Sequence, residues 1–277
     1  MSSRRAEGRR SRHDAGMSAP GLDHSEPSGL AQRLRALHGA DQPWPLVLAN
    51  VWDPGTAKLV AAAGFSAVAT SSAAVALSNG FADHEQMPAD VAFAAVAAIV
   101  RAVPDLPVTA DMESGYGLAP DEFARRLVES GAVGCNYEDT DHARPGALRP
   151  ADEQATRIAG IRAEADRLGV SVVINARVDP FLLRLGSANE QLAEAIRRGR
   201  MYLDAGADCI YPIVLSDEAA IATMVRETPG PVNILAQPTA PSVTRLAQLG
   251  VRRVSAGGGL YRDAIQAFRA GASALQS

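Results

Sequence analysis

The sequence predicts a single-domain α/β fold, a parallel (β/α)8 barrel of the TIM type, on three observations. Short apolar runs without polar alternation recur eight times along the chain, as strands buried on both faces do. Each run is followed by an Ala-rich segment of helical character. The phrase "helix end, Gly, new strand" repeats in AAAGFSAVATSS, ESGAVGCNYED, DAGADCIYP and AQLGVRRVSAGGG, a weak internal repetition of the barrel kind. An open doubly wound sheet usually has fewer strands, and no G-x-G-x-x-G stands at the first βα turn.

Residues 1–29 carry Arg4, Arg5, Arg9, Arg10 and Arg12 but no apolar h-region. They therefore read as a disordered tail and not a secretory signal, or as a start placed too early with Met17 as the true one. The barrel domain is expected over 30–277, opening with a short helix at 30–37. Strands are predicted at 46–50, 66–71, 108–112, 134–138, 172–176, 208–212, 232–235 and 253–255. The helix at 54–63 opens on Pro54, where a missing N–H does no harm, and the helix at 91–103 ends before Pro104. Helices at 121–130, 151–168, 190–205, 242–249 and 260–270 stop at Gly131, Gly169, Gly206, Gly250 and Gly271. The helix at 217–226 has Ser216 as its cap.

Composition narrows the function. Hydrophobic residues make up 47% of 277 residues, enough for one large core, and aromatics only 5%, which suits helix-on-sheet packing better than a β-sandwich. A net charge of −4 favours no nucleic acid and no anionic membrane as partner. No apolar run approaches the ~20 residues of a membrane helix. Cys135 and Cys209 match no zinc or redox spacing and read as buried thiols of a reducing, cytoplasmic protein.

Barrel chemistry gathers at the C-terminal strand ends, and charged residues fall there. Asp83 lies in the loop after the second strand, Asp111 and Glu113 end the third, Glu138 and Asp139 the fourth, and Arg177 and Asp179 the fifth. Spaced by two, Asp111 and Glu113 would share a strand face, with Glu138 level on the neighbouring strand. Any one of these acids alone reads as solvated or salt-bridged. As a set they would repel strongly, and a hard cation bound by oxygens, Mg²⁺ or Mn²⁺, removes that repulsion. Arg177 offers a planar fork for a carboxylate; its other reading is an ion pair with Glu138 or Asp179. The small-residue turn Ser71, Ser72, Ala73 could hold an anion, and Asn233 is a candidate substrate contact. His142 and Arg144, in the loop after the fourth strand, are acid–base candidates, although a loop histidine is often simply solvated. The Gly-rich SAGGGLYR at 255–262 could cradle a phosphate.

The phrases NVWDPGTAKLVAAAGFSAVATSS, GFADHEQM, TADMESGYG, GCNYEDT, INARVD, YLDAGADCIYP and RRVSAGGGLYR resemble the isocitrate lyase/phosphoenolpyruvate mutase superfamily, its phosphonomutase-like subgroup, over nearly the whole chain. The resemblance implies that Asp111 binds Mg²⁺ directly, that Asp83, Glu113 and Glu138 hold it through water, and that Arg177 and the 71–73 turn grip the substrate. It implies a lyase or decarboxylase that cleaves a C–C bond of a small 2-oxo or 2-hydroxy carboxylate through a pyruvate-type enolate, in a homo-oligomer, dimer or tetramer. The alternatives are a phosphoenolpyruvate phosphonomutase or phosphonopyruvate hydrolase, and a keto-acid binder without turnover. Three departures stand out: Glu113 replaces the usual Asp, Thr70 an aromatic residue, and DTDHARPGALRP a gating loop that carries Cys in the lyases. Arg144 and Gly146 stand where the phosphonate enzymes have Lys and Asn.

Overall fold

The computed structural model describes residues 25–39, 41–144 and 146–276. Its strands, in chain order, are β1 (Leu46–Leu48), β2 (Asn50–Val51), β3 (Val68–Thr70), β4 (Val108–Asp111), β5 (Gly134–Glu138), β6 (Val173–Val178), β7 (Cys209–Pro212), β8 (Asn233–Leu235) and β9 (Arg253–Ser255). All pairings between them are parallel, in the orders β1-β9-β8 and β2-β3-β4-β5-β6-β7. The expected first strand is broken at Ala49, so that β1 pairs back to β9 and β2 forward to β3. A parallel bridge from Ile210 to Val232 joins the remaining edges. The ring is thus the predicted (β/α)8 barrel, counting β1 and β2 as one strand.

The helices are α1 (Ser25–Ala36), α2 (Pro54–Ala62), α3 (Ser72–Ser78), α4 (Ala89–Ala102), α5 (Pro120–Glu129), α6 (Ala151–Arg167), α7 (Ala188–Asp204), α8 (Glu218–Glu227), α9 (Val243–Gln248) and α10 (Gly259–Ala274). Capping boxes open two of them: Asp53 with Thr56 before α2, and Ser187 with Glu190 before α7. The sequence reading needs four corrections. Helix α1 begins at Ser25, so residues 25–29 are helical and not tail; residues 1–24 lie outside the described residues, and with them His13, Met17 and His24. Asp217, not Ser216, caps α8, its side chain accepting from Ala220 N at 2.8 Å. Helix α10 passes through Gly271, where one glycine costs only about 1 kcal/mol. The small-residue turn after β3 is itself helical, as α3, with Ser71 as its cap.

Helix α1 closes the N-terminal end of the barrel. Leu34 is fully buried against the start of β5, and Arg35 donates to Asp208 Oδ1 (2.9 Å) and to the carbonyls of Ser171 and Val172. Barrel interiors are usually filled by branched apolar side chains; this one carries polar ones. Asn136 Oδ1 accepts from Asn175 Nδ2 (2.8 Å) and from Arg253 Nη2 (3.2 Å), and Asn233 exchanges hydrogen bonds with Ser255. Arg253 is buried, and burial lowers its pKa. Cys135 and Cys209 are free buried thiols, as expected, and burial pushes both up to about 12. No described helix is long and apolar enough to cross a membrane.

Gly134 is where α1 meets the sheet. A Cβ there would sit 2.8 Å from Leu34 Cδ2 and 2.9 Å from the Val173 carbonyl oxygen, and the backbone atom cannot step aside. Gly134→Ala is expected to cost about 1–3 kcal/mol, lowering Tm by roughly 2–4 °C for each kcal/mol. A wild-type melting curve for this variant would show that α1 does not press on β5.

Candidate active site

Strand β4 delivers Asp111 to the barrel mouth, where neutral donors hold it. Its Oδ2 accepts from the backbone N and the hydroxyl of Ser72, both at 3.0 Å, and its Oδ1 from Asn136 Nδ2 at 3.2 Å. Its own N–H donates to Thr70 Oγ1 at 2.8 Å. The side chain borders a cavity of about 130 Å³ shared with Ser71, Ser72, Ala73, Asp83 and Arg177. That is well below the ~300–1,000 Å³ of sites for drug-sized ligands, so the space suits a small acid. Opposite lies the glycine turn after β9, its Gly257 N–H donating to Asn50 Oδ1 at 2.9 Å. A larger cavity of about 400 Å³ opens at the other end of the barrel. Its carboxylate, Asp208, is already paired with Arg35 and Arg162, so it offers no comparable set of acids.

Behind the cavity lies a second cluster. Glu113 Oε2 accepts from Glu85 N (2.6 Å) and Oε1 from the Tyr116 hydroxyl (3.3 Å). Glu85 reaches back, its Oε1 accepting from Ser114 N, Ser114 Oγ and Tyr116 N at 3.1, 2.8 and 2.7 Å. His84, Glu85, Glu113 and Tyr116 all have positive φ, between 49° and 66°. Such conformations persist in non-glycine residues only where the surroundings impose them; here the two loops clasp each other. His142 Nε2 is 2.7 Å from Glu138 Oε1 and 3.6 Å from Glu113 Oε2. His84, Glu113 and His142 offer ligand atoms within 4.8 Å of one another, a group able to hold a metal ion.

Arg177 connects the two regions. It lines the cavity, its Nη1 lies 2.5 Å from Glu138 Oε2, and its Nε and Nη2 donate to the two oxygens of Asp179 at 2.8 and 2.7 Å. The ion-pair reading of Arg177 therefore holds together with its place at the cavity. Burial, then the charges of Glu138, Asp83 and Asp111, push Glu113 up to about 8. Burial also raises Glu138, against the pull of Arg177 and His142. For His142 burial is the largest single influence and opposes the charge, but the hydrogen bond to Glu138 and the charges of Glu138, Glu85 and Glu113 together outweigh it and the pKa rises. The donors in reach, carboxylates with two imidazoles, fit a divalent cation.

Several sequence expectations need adjustment. Strand β4 ends at Asp111, and the left-handed turn at Glu113 aims that acid at His142 and Glu85; Asp111 and Glu113 are not two rungs of one strand face. Asp83 and Asp111 line the cavity, while Glu113 and Glu138 are buried outside its lining. Asn233 does not reach the mouth: as the first residue of β8 it is buried in the interior against Ser255. Arg144 is exposed and turned onto Asp141, whose Oδ2 accepts from its Nε at 2.6 Å. His142, an acid–base candidate that reads more readily as a solvated loop residue, is held inside the acid cluster. Glu85 and Tyr116 were not foreseen, since no periodicity marks them. Asn50 and Asn136 were visible as polar residues inside apolar runs.

The model of the phosphoenolpyruvate phosphomutase family matches residues 34–276. A solved structure from Burkholderia cenocepacia, provisionally assigned as a phosphonomutase, has 41% identity and a TM-score of 0.81, covering 90% of this chain and 99% of that one. An uncharacterized protein of Mycobacterium tuberculosis is 33% identical over 233 residues, 83% of this chain and 84% of its own. The 2-methylisocitrate lyase of Bacillus subtilis is 31% identical over 211 residues, 73% of this chain and 66% of that enzyme.

The raised pKa of Glu113 makes stability depend on pH. A carboxyl lifted from 4.5 to about 8 favours the folded state fully below about 4.5, and that contribution is lost as pH rises through about 8. A divalent cation bound beside Glu113 would take the place of the proton, so the increase in Tm on adding Mg²⁺ should grow from pH 5.5 to 8, with affinity gaining up to about tenfold per pH unit. Glu113→Gln should flatten this slope. A Tm increment independent of pH in the wild-type protein would remove Glu113 from the cation's surroundings.

Proposed function

The chain belongs to the phosphoenolpyruvate phosphomutase family, within the isocitrate lyase/phosphoenolpyruvate mutase superfamily of lyases and mutases, and from that premise we propose that it is a Mg²⁺-dependent carbon–carbon lyase. Its substrate would be a small 2-oxo or 2-hydroxy carboxylate, cleaved through a pyruvate-type enolate. The observation that carries this reading is the single small cavity onto which Asp83, Asp111, the Ser71–Ser72–Ala73 turn and Arg177 converge. Similarity to a 2-methylisocitrate lyase supports the bond class.

In this reading Asp111 is the ligand of Mg²⁺, or of Mn²⁺ as a substitute, and Asp83, Glu113 and Glu138 support it from further out. When bound, the ion supplies a Lewis acid that offsets charge developing on the substrate's 2-oxo oxygen. Arg177 grips a substrate carboxylate with its remaining N–H groups; Asp179 and Glu138 fix the plane of the fork beforehand. His142 and Glu138, 2.7 Å apart and set just outside the cavity lining, are the acid–base pair of this reading, and the raised pKa of His142 keeps a proton available near neutral pH. In a decarboxylation the C–C bonding pair would stay on the 2-oxo fragment as the enolate, CO₂ would leave, and a proton from this pair would reach the carbon through one bridging water.

Phosphonate chemistry is the second reading, favoured by the similarity to the provisional phosphonomutase and by the glycine turn facing the cavity; a keto-acid binder without turnover is the third. A homo-oligomer, dimer or tetramer, is also proposed. No residue of α10 is buried, and Leu260, Phe268 and Leu275 are exposed on and just beyond it. Light scattering should return a multiple of the 28.9 kDa chain mass, and a monomer would refute this part.

The purified protein with Mg²⁺ should release pyruvate from at least one of oxaloacetate, methylisocitrate and dimethylmalate. Phosphonopyruvate and phosphoenolpyruvate are the contrasting arms, the last followed by phosphorus NMR because isomerisation frees no pyruvate. Turnover confined to these two would replace the lyase reading by the phosphonate one. Asp111→Ala should weaken Mg²⁺-dependent binding of oxalate, an enolate mimic, by at least about tenfold; unchanged affinity would refute its role as ligand.

A further inference from the structure

The acids that face the cavity present only oxygen, but the cluster behind them brings in two imidazoles. His84, Glu113 and His142 set one ligand atom each within 4.8 Å of the others, and the two rings are 5.5 Å apart between centroids. Glu138 Oε1, 2.7 Å from His142 Nε2, is placed to join as a fourth donor. Hydrogen bonding to carboxylates explains why His142 is here. It does not explain His84, whose ring makes no hydrogen bond or ion pair among the described residues, although its backbone is held at φ 66°. The neighbouring Glu85, also left-handed, fixes that loop through its N–H to Glu113 and its carboxylate to Ser114 and Tyr116. The fold thus maintains two successive strained residues, at a cost of order 1–3 kcal/mol each, and the result is an unpartnered imidazole beside a histidine and a buried glutamate.

We propose that His84, Glu113 and His142 form a second cation site, for a borderline divalent transition metal such as Zn²⁺ or Co²⁺, beside the oxygen-lined cavity. Imidazole nitrogen suits these ions and is a poor ligand for Mg²⁺. His84 is exposed and provides the path of entry, while Glu113 is buried and supplies the anionic ligand. Glu113 and His142 also belong to the proposed lyase machinery. A transition metal held here would therefore withdraw both from the reaction, so that the ion acts as an inhibitor and not as the resident cofactor. The site itself does not depend on the lyase reading, because its imidazoles lie outside the lining of the cavity.

Co²⁺ added to the intact chain in excess Mg²⁺ tests this by visible absorption, which is intense for a four- or five-coordinate nitrogen-ligated ion and weak for an ion in six oxygens. One Co²⁺ per chain with an intense band is expected. His84→Ala, on the exposed loop, and His142→Ala should each weaken its binding by at least about tenfold. Asp111→Ala should keep the Co²⁺ band while losing Mg²⁺-dependent oxalate binding, which separates this site from the proposed catalytic one. Unchanged Co²⁺ affinity and spectrum in both histidine variants would overturn the proposal. So would a wild-type spectrum with only a weak band that Asp111→Ala abolishes, which would place the ion in the oxygen-lined cavity.

Discussion

Arg177 lies between Glu138 and Asp179, and the electrostatics of the barrel mouth turn on that placement. A buried carboxylate is tolerated when a cation or several hydrogen-bond donors meet it, and removing the partner of a buried pair costs about 3–5 kcal/mol. Arg177 meets two such groups at once. Asp139, next to Glu138, is met by Arg198 at 3.0 Å, the Tyr202 hydroxyl at 2.8 Å and the backbone N–H of Asp179 at 3.0 Å. With those charges matched, Asp111, held by neutral donors, and Glu113, held by neutral donors with His142 at 3.6 Å, stand without a guanidinium partner among the described residues. The mouth thus has a surplus of negative charge, and a proton or a bound cation must balance it.

The barrel delivers this pattern through its register. Asp111 pairs with Asn136, Glu138 with Arg177, and Arg177 with Tyr211, so charged and amide side chains occur at related heights around the ring. Below them the Asn136, Asn175 and Arg253 ladder continues the polar lining into the interior. A conventional apolar interior would bury more hydrophobic area. In exchange, Asn136 can brace Asp111 from below, and Asn50 can tie the glycine turn after β9 to the first barrel strand.

The barrel was legible because its signals are local and repeated: apolar runs, Pro at helix starts, Gly after helix ends. Asp83, Asp111, Glu138 and Arg177 were legible because strand ends can be read from those runs, and chemistry collects at one end of a barrel. Other features depend on contacts that no local pattern encodes. The clasp between His84–Glu85 and Glu113–Tyr116 rests on four non-glycine residues in a conformation their types disfavour, and only the cross-loop hydrogen bonds stabilise it. Asn233 lies at the start of its strand, where its side chain is buried against Ser255 and outside the cavity lining, a depth that the apolar run around it does not reveal. Ser71–Ala73 read as a turn because so short a helix as α3 has little periodicity to show.

The loop after β5 carries neither the cysteine nor the lysine that its relatives' loops were expected to supply, and its geometry indicates where proton transfer can still reside. Its root is rigid: Asp139 is held on three sides, and Thr140 donates to Asp179 from the next position. Its outer part points away, with Arg144 exposed and turned onto Asp141. Between root and tip, the chain folds His142 back over Glu138, four residues earlier. A proton held there is positioned by the strand end and the rigid root, and closing the loop tip is not needed to place it. In the proposed lyase the acid–base function therefore rests at the root of this loop, against the strand end. The same placement sets His142 beside His84, so that one loop conformation underlies both the proposed chemistry and the proposed sensitivity to a transition metal.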